Sequence, residues 1–544
     1  MNSPSPIRTR YSVIELQKEY DAGNTKPLDN LIRAWAGIKA LPPDDLKSFF
    51  NLGGYHGEPF RGEGATDSAY WGGYCNHGNV LFPTWHRVYC LKVEEALRSI
   101  PGCEDVTLPY WDETDNYTLT TGIPKVLTAE TYPLDGQMIP NPLRSFTLPV
   151  AIVDNVKSDN QGNPDDPNYS KPVGYETVRY PLSGLVGTPQ DQAATASHNA
   201  QYPDAEQNIA TLDSNVVQWM KHTFYNGTEN PIGILAEFQQ CLQAPNYTVF
   251  SNTTSAQEWN TGKPANEQVM PLEQPHNDIH LAVGGFDVPG TDLSLIQDAN
   301  GDMGENDTAA LDPIFYLHHC NVDRVFWLWQ QQHQATDQLE IIDNYAGTNS
   351  SGNPSQGPTP GIPDNTPLTL DTPLYPFKQG TDNNGSDYVS RDCINIETQL
   401  GYTYTVGSLA EVPVMAQAAV AQKASGQQVL HVSQINKAPI KGSFIIAAFA
   451  EKDGQKELIG YKSVLSRWDS GSCINCQTHL EVKAAFPLIT LREEEKTLDN
   501  ITVELITRAG SRPIPARAAA AAEANTSQAK TVQAVKSKMH VEIR

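Results

Sequence analysis

Long apolar runs are missing from this chain of 544 residues. No stretch of about 18 uninterrupted apolar residues occurs, so no membrane-crossing helix is expected. Met1 to Tyr20 is polar and has no apolar signal core, so no secretory signal is visible and a cytoplasmic, intracellular location is expected. Basic residues are in short supply, 38 Lys and Arg against 63 Asp and Glu, for a net charge of -25. Nucleic-acid affinity comes mostly from cationic contacts to phosphate. The balance therefore excludes nucleic acid and an anionic membrane as expected partners, and fits a strongly charged, soluble surface. Cysteine is sparse as well. The eight, Cys75, Cys90, Cys103, Cys241, Cys320, Cys393, Cys473 and Cys476, are mostly isolated, unlike a disulfide framework. Two placements stand out: Cys75-Asn76-His77 and Cys473-Ile474-Asn475-Cys476.

The chain is too long for one compact core, and at roughly 150 residues per domain two or three domains are expected, or one large domain and one smaller. Leu28, Leu31, Ile32, Trp35 and Ile38 recur at helical spacing before Pro42-Pro43, which predicts a helix ending there. A second helix is predicted from Pro83 through Trp85, Val88, Leu91 and Leu97 to Pro101, and others at 213–225 and 232–243. Asp312-Pro313 reads as an N-cap and first helical residue, followed by a buried helix through Phe315, Leu317, Val322, Phe326 and Trp329. Segments 112–210 and 245–270 read as long polar loops, and 347–366 as a Gly/Pro/Ser/Asn-rich linker. After Tyr404 the character changes: Ser443–Ala450 is an apolar run, and His479–Ala484 and Ile501–Thr507 alternate with period two, with Met539–Arg544 as a candidate last strand. The expected architecture is a mainly α domain over 1–404, followed by a smaller β-rich domain over 405–544. The tract 516–530 is low in complexity and is equally compatible with helix or loop.

The thirteen histidines are unevenly placed: His56, His77 and His86 in one region, His276, His280, His318 and His319 in another. His276 and His280, four apart, share one helix face and can share a metal. His319 and His86 are embedded in apolar segments, where an imidazole needs a partner. A third ligand from a facing helix is how bundle metal sites are built. Two three-histidine groups, without thiolate or carboxylate, fit oxygen chemistry at two coppers better than structural zinc, which favours closed sites with thiolates; spacing alone does not separate copper from a dizinc hydrolase, whose sites usually include carboxylates.

Two longer segments carry a family resemblance. In HGNVLFPTWHRVYCLKVEEAL (77–97), His77, Phe82, Trp85, His86, Arg87 and Glu94 fall on the pattern of the tyrosinase and polyphenol oxidase family, with Cys90 departing from it. In DPIFYLHHCNVDR (312–324), Asp312, Pro313, Phe315, His319 and Asp323 do the same. With HNDIH between them, YHGEPF around His56, LPYWD at 108–112 and Tyr402-Thr403-Tyr404 at its end, the resemblance spans about residues 27–404.

The chain thus resembles a type 3 copper oxidase. The resemblance implies that His56, His77 and His86 bind one copper and His276, His280 and His319 a second, while His318 aligns with a non-ligand histidine. It implies dioxygen-dependent hydroxylation of monophenols and oxidation of o-diphenols to o-quinones, with phenolic or catecholic small molecules and O2 as partners. A phenol has a pKa near 10, and the family's Glu and Asn beside a ligand histidine match Glu273 and Asn277, which would hold a water acting as base. Fungal-type members carry a Cys-x-His thioether, which implies a Cys75–His77 link. They also carry a C-terminal domain that covers the site, with a bulky side chain in the space of a phenol; Tyr461 and Trp468 are candidates. The Cys473/Cys476 pair reads as a disulfide, half a zinc site, or a dithiol that delivers Cu(I), with delivery favoured because no second CxxC exists and the location is expected to be intracellular. Catechol oxidase, o-aminophenol oxidase and, from another class, a haemocyanin-like O2 carrier are the alternatives; phenol-dependent oxygen uptake separates enzyme from carrier. Self-association into a homo-oligomer is left open.

Overall fold

Apolar residues on one face of each helix decide where the helices go. The computed structural model describes the chain except residues 1–6, 58–72, 154–169, 186–188, 222, 225–227, 230–232, 287–298, 351–358, 360, 364, 381–383, 411–427, 438–439, 441, 453, 468–480, 509 and 516–538. Helix α1, Lys26–Ala40, buries Leu28, Leu31, Ile32, Trp35 and Ile38, as its spacing predicts. It packs on α3, Phe82–Arg98, after the short α2, Phe49–Gly54. Helices α4, Ala205–Lys221, and α5, Ile234–Cys241, lie behind α7, Glu273–Gly284. Helix α8, Ile314–Gln332, is buried along most of its length and packs against α3.

Most predicted starts hold to within a turn, but the helix expected over 213–225 begins eight residues earlier, at Ala205, and ends at Lys221. In α8 the helix begins at Ile314, one residue later than expected. Asp312 still accepts from the Ile314 N–H at 3.1 Å, and its carboxylate also receives Arg179 in bidentate fashion, at 2.7 and 2.8 Å. The two long "loops" are more structured than their polarity implies. Segment 112–210 holds Asn116–Thr121, Pro189–Asn199 and a hairpin, Thr131–Leu134 with Gln137–Pro140. Segment 245–270 holds Tyr247–Ser251 and α6, Thr253–Asn260. Asn246 and Asn252 cap those last two helices through their side chains, so each helix is too short for a periodic signal yet is nucleated by its cap.

The motif residues that bind nothing hold the helices together. Strand β1, Arg8–Arg10, pairs parallel with β2, Tyr402–Tyr404. Arg10 donates to Glu94 of α3 at 2.8 Å, and Arg87 donates to Asp323 of α8 at 2.5 Å. The Tyr402 and Tyr404 hydroxyls both donate to Asp323 at 2.6 Å. These charges are buried but paired, the condition under which burial is tolerated.

The C-terminal part is two antiparallel sheets. One has the order β5-β4-β7-β8 (Gln455–Val464, Phe444–Lys452, Ile501–Thr507, Gly510–Pro515). The other has the order β6-β3-β9 (Glu481–Pro487, Val429–Asn436, His540–Ile543). Strand β4 explains its own unbroken apolarity. Phe444, Ile446, Ala448 and Ala450 face the second sheet, while Ile445, Ala447 and Phe449 join the core of the helical part. A strand buried on both faces loses period-two alternation. Strands β3, β5 and β8 went unpredicted. Met539–Arg544 does pair, as β9, with β3. Trp468, Cys473, Cys476 and the tract 516–530 lie outside the described residues.

Candidate metal centre

Three elements deliver the first group of histidines. His56 follows α2, His77 lies in the turn before α3, and His86 sits one turn into α3. Their ring centroids are 5.1 Å (His56–His77), 5.1 Å (His77–His86) and 5.6 Å (His56–His86) apart. In the second group, His276 and His280 occupy successive turns of α7 and His319 faces them from α8, at 4.6, 4.8 and 5.7 Å. The groups adjoin: His86 stacks on His319 at 4.4 Å and 13°, and His77 lies 5.4 Å from His276. None of the six is more than 2 % exposed.

Backbone carbonyls aim the rings. His86 Nδ1–H donates to Phe82 O at 2.8 Å, His280 Nδ1–H to Met303 O at 2.8 Å, and His56 Nδ1–H to Asn306 O at 3.3 Å. With the hydrogen on Nδ1, each Nε2 presents its lone pair, the usual outer-shell arrangement around a metal. His276 Nδ1 meets Asn277 Oδ1 at 3.0 Å. Phe315 packs on His319 and His56 at 4.1 and 4.7 Å, and Phe82 on His86 and His276 at 4.7 and 4.9 Å, so the motif phenylalanines wall the centre.

The residues fit a metal pair on their own polar accounting. His56 Nε2, His86 Nε2, both ring nitrogens of His77 and His319, and also His318 Nε2 are buried without a hydrogen-bond partner, and His276 Nε2 and His280 Nε2 face one another at 3.1 Å. Buried polar atoms left unpaired in such numbers are costly unless something else binds them. Burial, then mutual repulsion, pushes His77, His276 and His319 well below the usual histidine range, and burial takes His86 to about 3. All are neutral imidazoles, the form that ligates.

Distance alone would admit His318 to the second group, since its ligating nitrogen lies within 4.8 Å of those of His276, His280 and His319. Its partner argues otherwise. His318 Nδ1 lies 2.6 Å from Glu113 Oε1, and Glu113 Oε2 accepts from Asn321 at 3.0 Å. Burial raises Glu113 well above the carboxylate range and lowers His318 to about 3. A neutral Glu113 donating to Nδ1 leaves the hydrogen on Nε2, which then has no lone pair to offer.

Glu273 is braced. Its Oε1 accepts from Gly78 N–H at 2.7 Å, next to His77, and its Oε2 from the N–H and hydroxyl of Thr253 at 2.8 and 2.9 Å. Burial raises its pKa against these donors. Cys75 is a buried thiol whose sulfur lies within 4.8 Å of ligating nitrogens of His56 and His77. Tyr461 stands elsewhere: its ring meets Trp219 at 5.3 Å, and burial beside Glu237 and Asp278 raises its hydroxyl, which puts it on the side of α7 bearing Asp278 rather than the side bearing the histidines. A cleft of 440 Å³ opens between the helical and β parts, among Gln257, Met270, Lys462 and Phe486, and its lining includes none of the clustered histidines.

Glu113, Met303 and Asn306 were not legible as site residues. Two of them act through backbone carbonyls, which carry no side-chain signature, and Glu113 had only its place directly after LPYWD to mark it.

Residues 46–332 match the family described as the common central domain of tyrosinase. The chain is 55% identical over 514 residues to tyrosinase HcTyr2 of a Hahella species, covering 90% of both chains. It is 44% identical over 515 residues to a tyrosinase of Aspergillus oryzae, covering 90% of this chain and 92% of that one. The structure superposes on the tyrosinase of Burkholderia thailandensis, solved at low pH, with a TM-score of 0.83 and 50% identity, over 99% of this chain and 100% of that one.

Proposed function

The chain belongs to the tyrosinase family, and from that premise we propose how its residues do the family's work. It is a copper-dependent oxidoreductase that hydroxylates monophenols and oxidises o-diphenols to o-quinones, so the carrier alternative falls away. In the proposed assignment His56, His77 and His86 hold one copper and His276, His280 and His319 the other. The carrying observation is the convergence of buried ring nitrogens, partnerless at His56, His77, His86 and His319, on the His276–His280 pair of α7, whose Nε2 atoms face one another at 3.1 Å. The coppers, when bound, supply the binding and activation of dioxygen and the redox equivalents of the oxidation.

The protein's own contribution is geometry and dryness. Carbonyls of Phe82, Met303 and Asn306 fix which nitrogen of each ring is available. Phe82 and Phe315 keep water from the rings, which strengthens every electrostatic interaction inside. We assign Glu273 and Asn277 to the phenol's proton. Asn277 holds His276, and Glu273 has three donors on its two oxygens. An ionised carboxylate offers about four lone-pair sites, so one remains for a water that takes the hydroxyl hydrogen. A Cys75–His77 thioether would stiffen the His77 ring, which lies in the turn before α3 rather than on a helix.

Oxygen uptake on tyrosine and on DOPA tests this assignment. Glu273→Gln is expected to lower monophenol hydroxylation about 10²–10⁴-fold more than diphenol oxidation, the range in which a positioned base acts. Equal losses on the two substrates would reduce Glu273 to a brace between the Gly78 turn and α6.

A further inference from the structure

A short loop, Glu305–Asp307, lies between the first histidine group and the C-terminal sheet. On its inner side the Asn306 carbonyl accepts from His56 Nδ1–H at 3.3 Å, and Asn306 Nδ2 lies 3.9 Å from Cys75 Sγ. On its outer side the Asn306 N–H donates to the carbonyl of Ser466 at 3.3 Å. Asp307 pairs with Arg467 at 2.7 Å, with both side chains at most 2 % exposed. There is no slack in this stack: a Cβ built on Gly57 would come within 1.9 Å of the Asn306 carbonyl oxygen. A guanidinium taken wholly out of water must be paired, so Arg467 fixes where Asp307, and with it Asn306, can sit.

We propose that Asn306 is a positioning residue for closure of the Cys75–His77 thioether, held in register by Ser466 and Arg467 of the C-terminal part. The inference rests on the thioether reading of Cys75 and His77. In the step, the Cys75 S–H bond and a ring C–H bond of His77 break and one S–C bond forms. The two electrons and two protons released pass to dioxygen, the enzyme's own co-substrate, which leaves as hydrogen peroxide. Sulfur and ring must be held together for this, and the structure brings Cys75 Sγ within 4.8 Å of a His77 nitrogen while the Asn306 amide abuts the same sulfur. On this account the C-terminal part helps build the site as well as covering it.

The test follows cross-link formation in the full-length protein after copper is added in air. The peptide bearing Cys75 and His77 is read by mass spectrometry after alkylation, and copper per chain is measured on the same samples. The wild type should give a peptide lighter by two hydrogens that resists alkylation. Asn306→Ala should slow its appearance, expressed per copper bound, by up to roughly a hundredfold, the order of loss that misplacement by about 1 Å produces. The paired variant Asp307→Asn with Arg467→Met, which leaves no buried charge alone, should slow it similarly and decides the matter if Asn306→Ala does not fold. Wild-type rates in these variants overturn the positioning role and leave the thioether standing. A wild-type Cys75 that stays alkylatable overturns the thioether and this role with it.

Discussion

His318 and His319 are neighbours in sequence and in space, yet chemistry separates them. His319 has both ring nitrogens buried and partnerless, while His318, whose Nε2 is also buried without a partner, spends Nδ1 on Glu113. The account therefore gives them opposite fates. His319→Ala should lose copper from the second site and abolish oxidase activity, whereas His318→Ala should retain copper, both read by metal analysis of the purified protein. A His318→Ala protein that loses copper as completely as His319→Ala would make it a ligand. Glu113→Ala is expected to resemble His318→Ala, because either change leaves one buried polar partner unsatisfied, at a cost of about 1–3 kcal/mol.

Between helices, the acidic and tyrosine positions of the motifs act as clamps. Asp323 alone receives Arg87, Tyr402 and Tyr404, and lies 3.6 Å from Arg10. Asp323→Ala would leave two buried guanidinium groups undercompensated. We expect it to lower stability by about 3–5 kcal/mol, measured by denaturant unfolding of copper-free protein so that metal loss does not enter. A change below about 1 kcal/mol would show that the clamp carries little. These clamps also mark what sequence could reveal. Helices α1, α3 and α8 were legible because each buries a periodic apolar face, and the six clustered histidines because they sit in or beside such faces. The short capped helices Tyr247–Ser251 and Thr253–Asn260 were not, since two turns leave no period to detect. Strand β5 was missed because its Gly460, Lys462 and Ser463 break alternation, and only the structure shows that Leu458 and Tyr461 join the helical core while Ile459 and Val464 face the second sheet. The loop Glu305–Asp307 was invisible because the Asn306 carbonyl that aims His56 carries no side-chain signature, and no periodicity marks the Asn306 amide or the Asp307 carboxylate as facing Cys75 and Arg467.

Across the whole molecule, the β part presents β4 to the helical core and reaches the first histidine group through Ser466 and Arg467. We therefore propose that residues 405–544 form a cover, and that cleavage after about residue 404 of the matured, copper-loaded protein raises activity on bulky phenols in an oxygen-uptake assay; unchanged activity would remove the cover role. Cys473 and Cys476 follow Arg467 closely in the chain. The delivery role proposed for them predicts that Cys473→Ser with Cys476→Ser lowers copper content at limiting copper and leaves reconstitution in excess copper intact. Normal loading at limiting copper would end that proposal. The junction should also sense pH. Burial, then Asp307, holds the Glu305 carboxyl up at about 8, against an ordinary value of 4.5. A raised carboxyl pKa means the folded state binds more protons than the unfolded one between those values. Its contribution is full below about 4.5 and is lost as pH rises toward 8, with a slope approaching about 1.4 kcal/mol per pH unit. Glu305→Gln should flatten stability against pH across that window in copper-free protein, and an unchanged slope would show that Glu305 does not titrate there.

Copper counting combined with electron paramagnetic resonance on the oxidised, copper-loaded wild type bears on the whole assignment at once. In the proposed assignment, the two histidine groups, joined by His86 stacked on His319 at 4.4 Å, would hold two Cu(II) ions close enough to couple their spins. The account predicts two coppers per chain with almost no paramagnetic signal. One copper per chain, or two that give a full uncoupled signal, would contradict it.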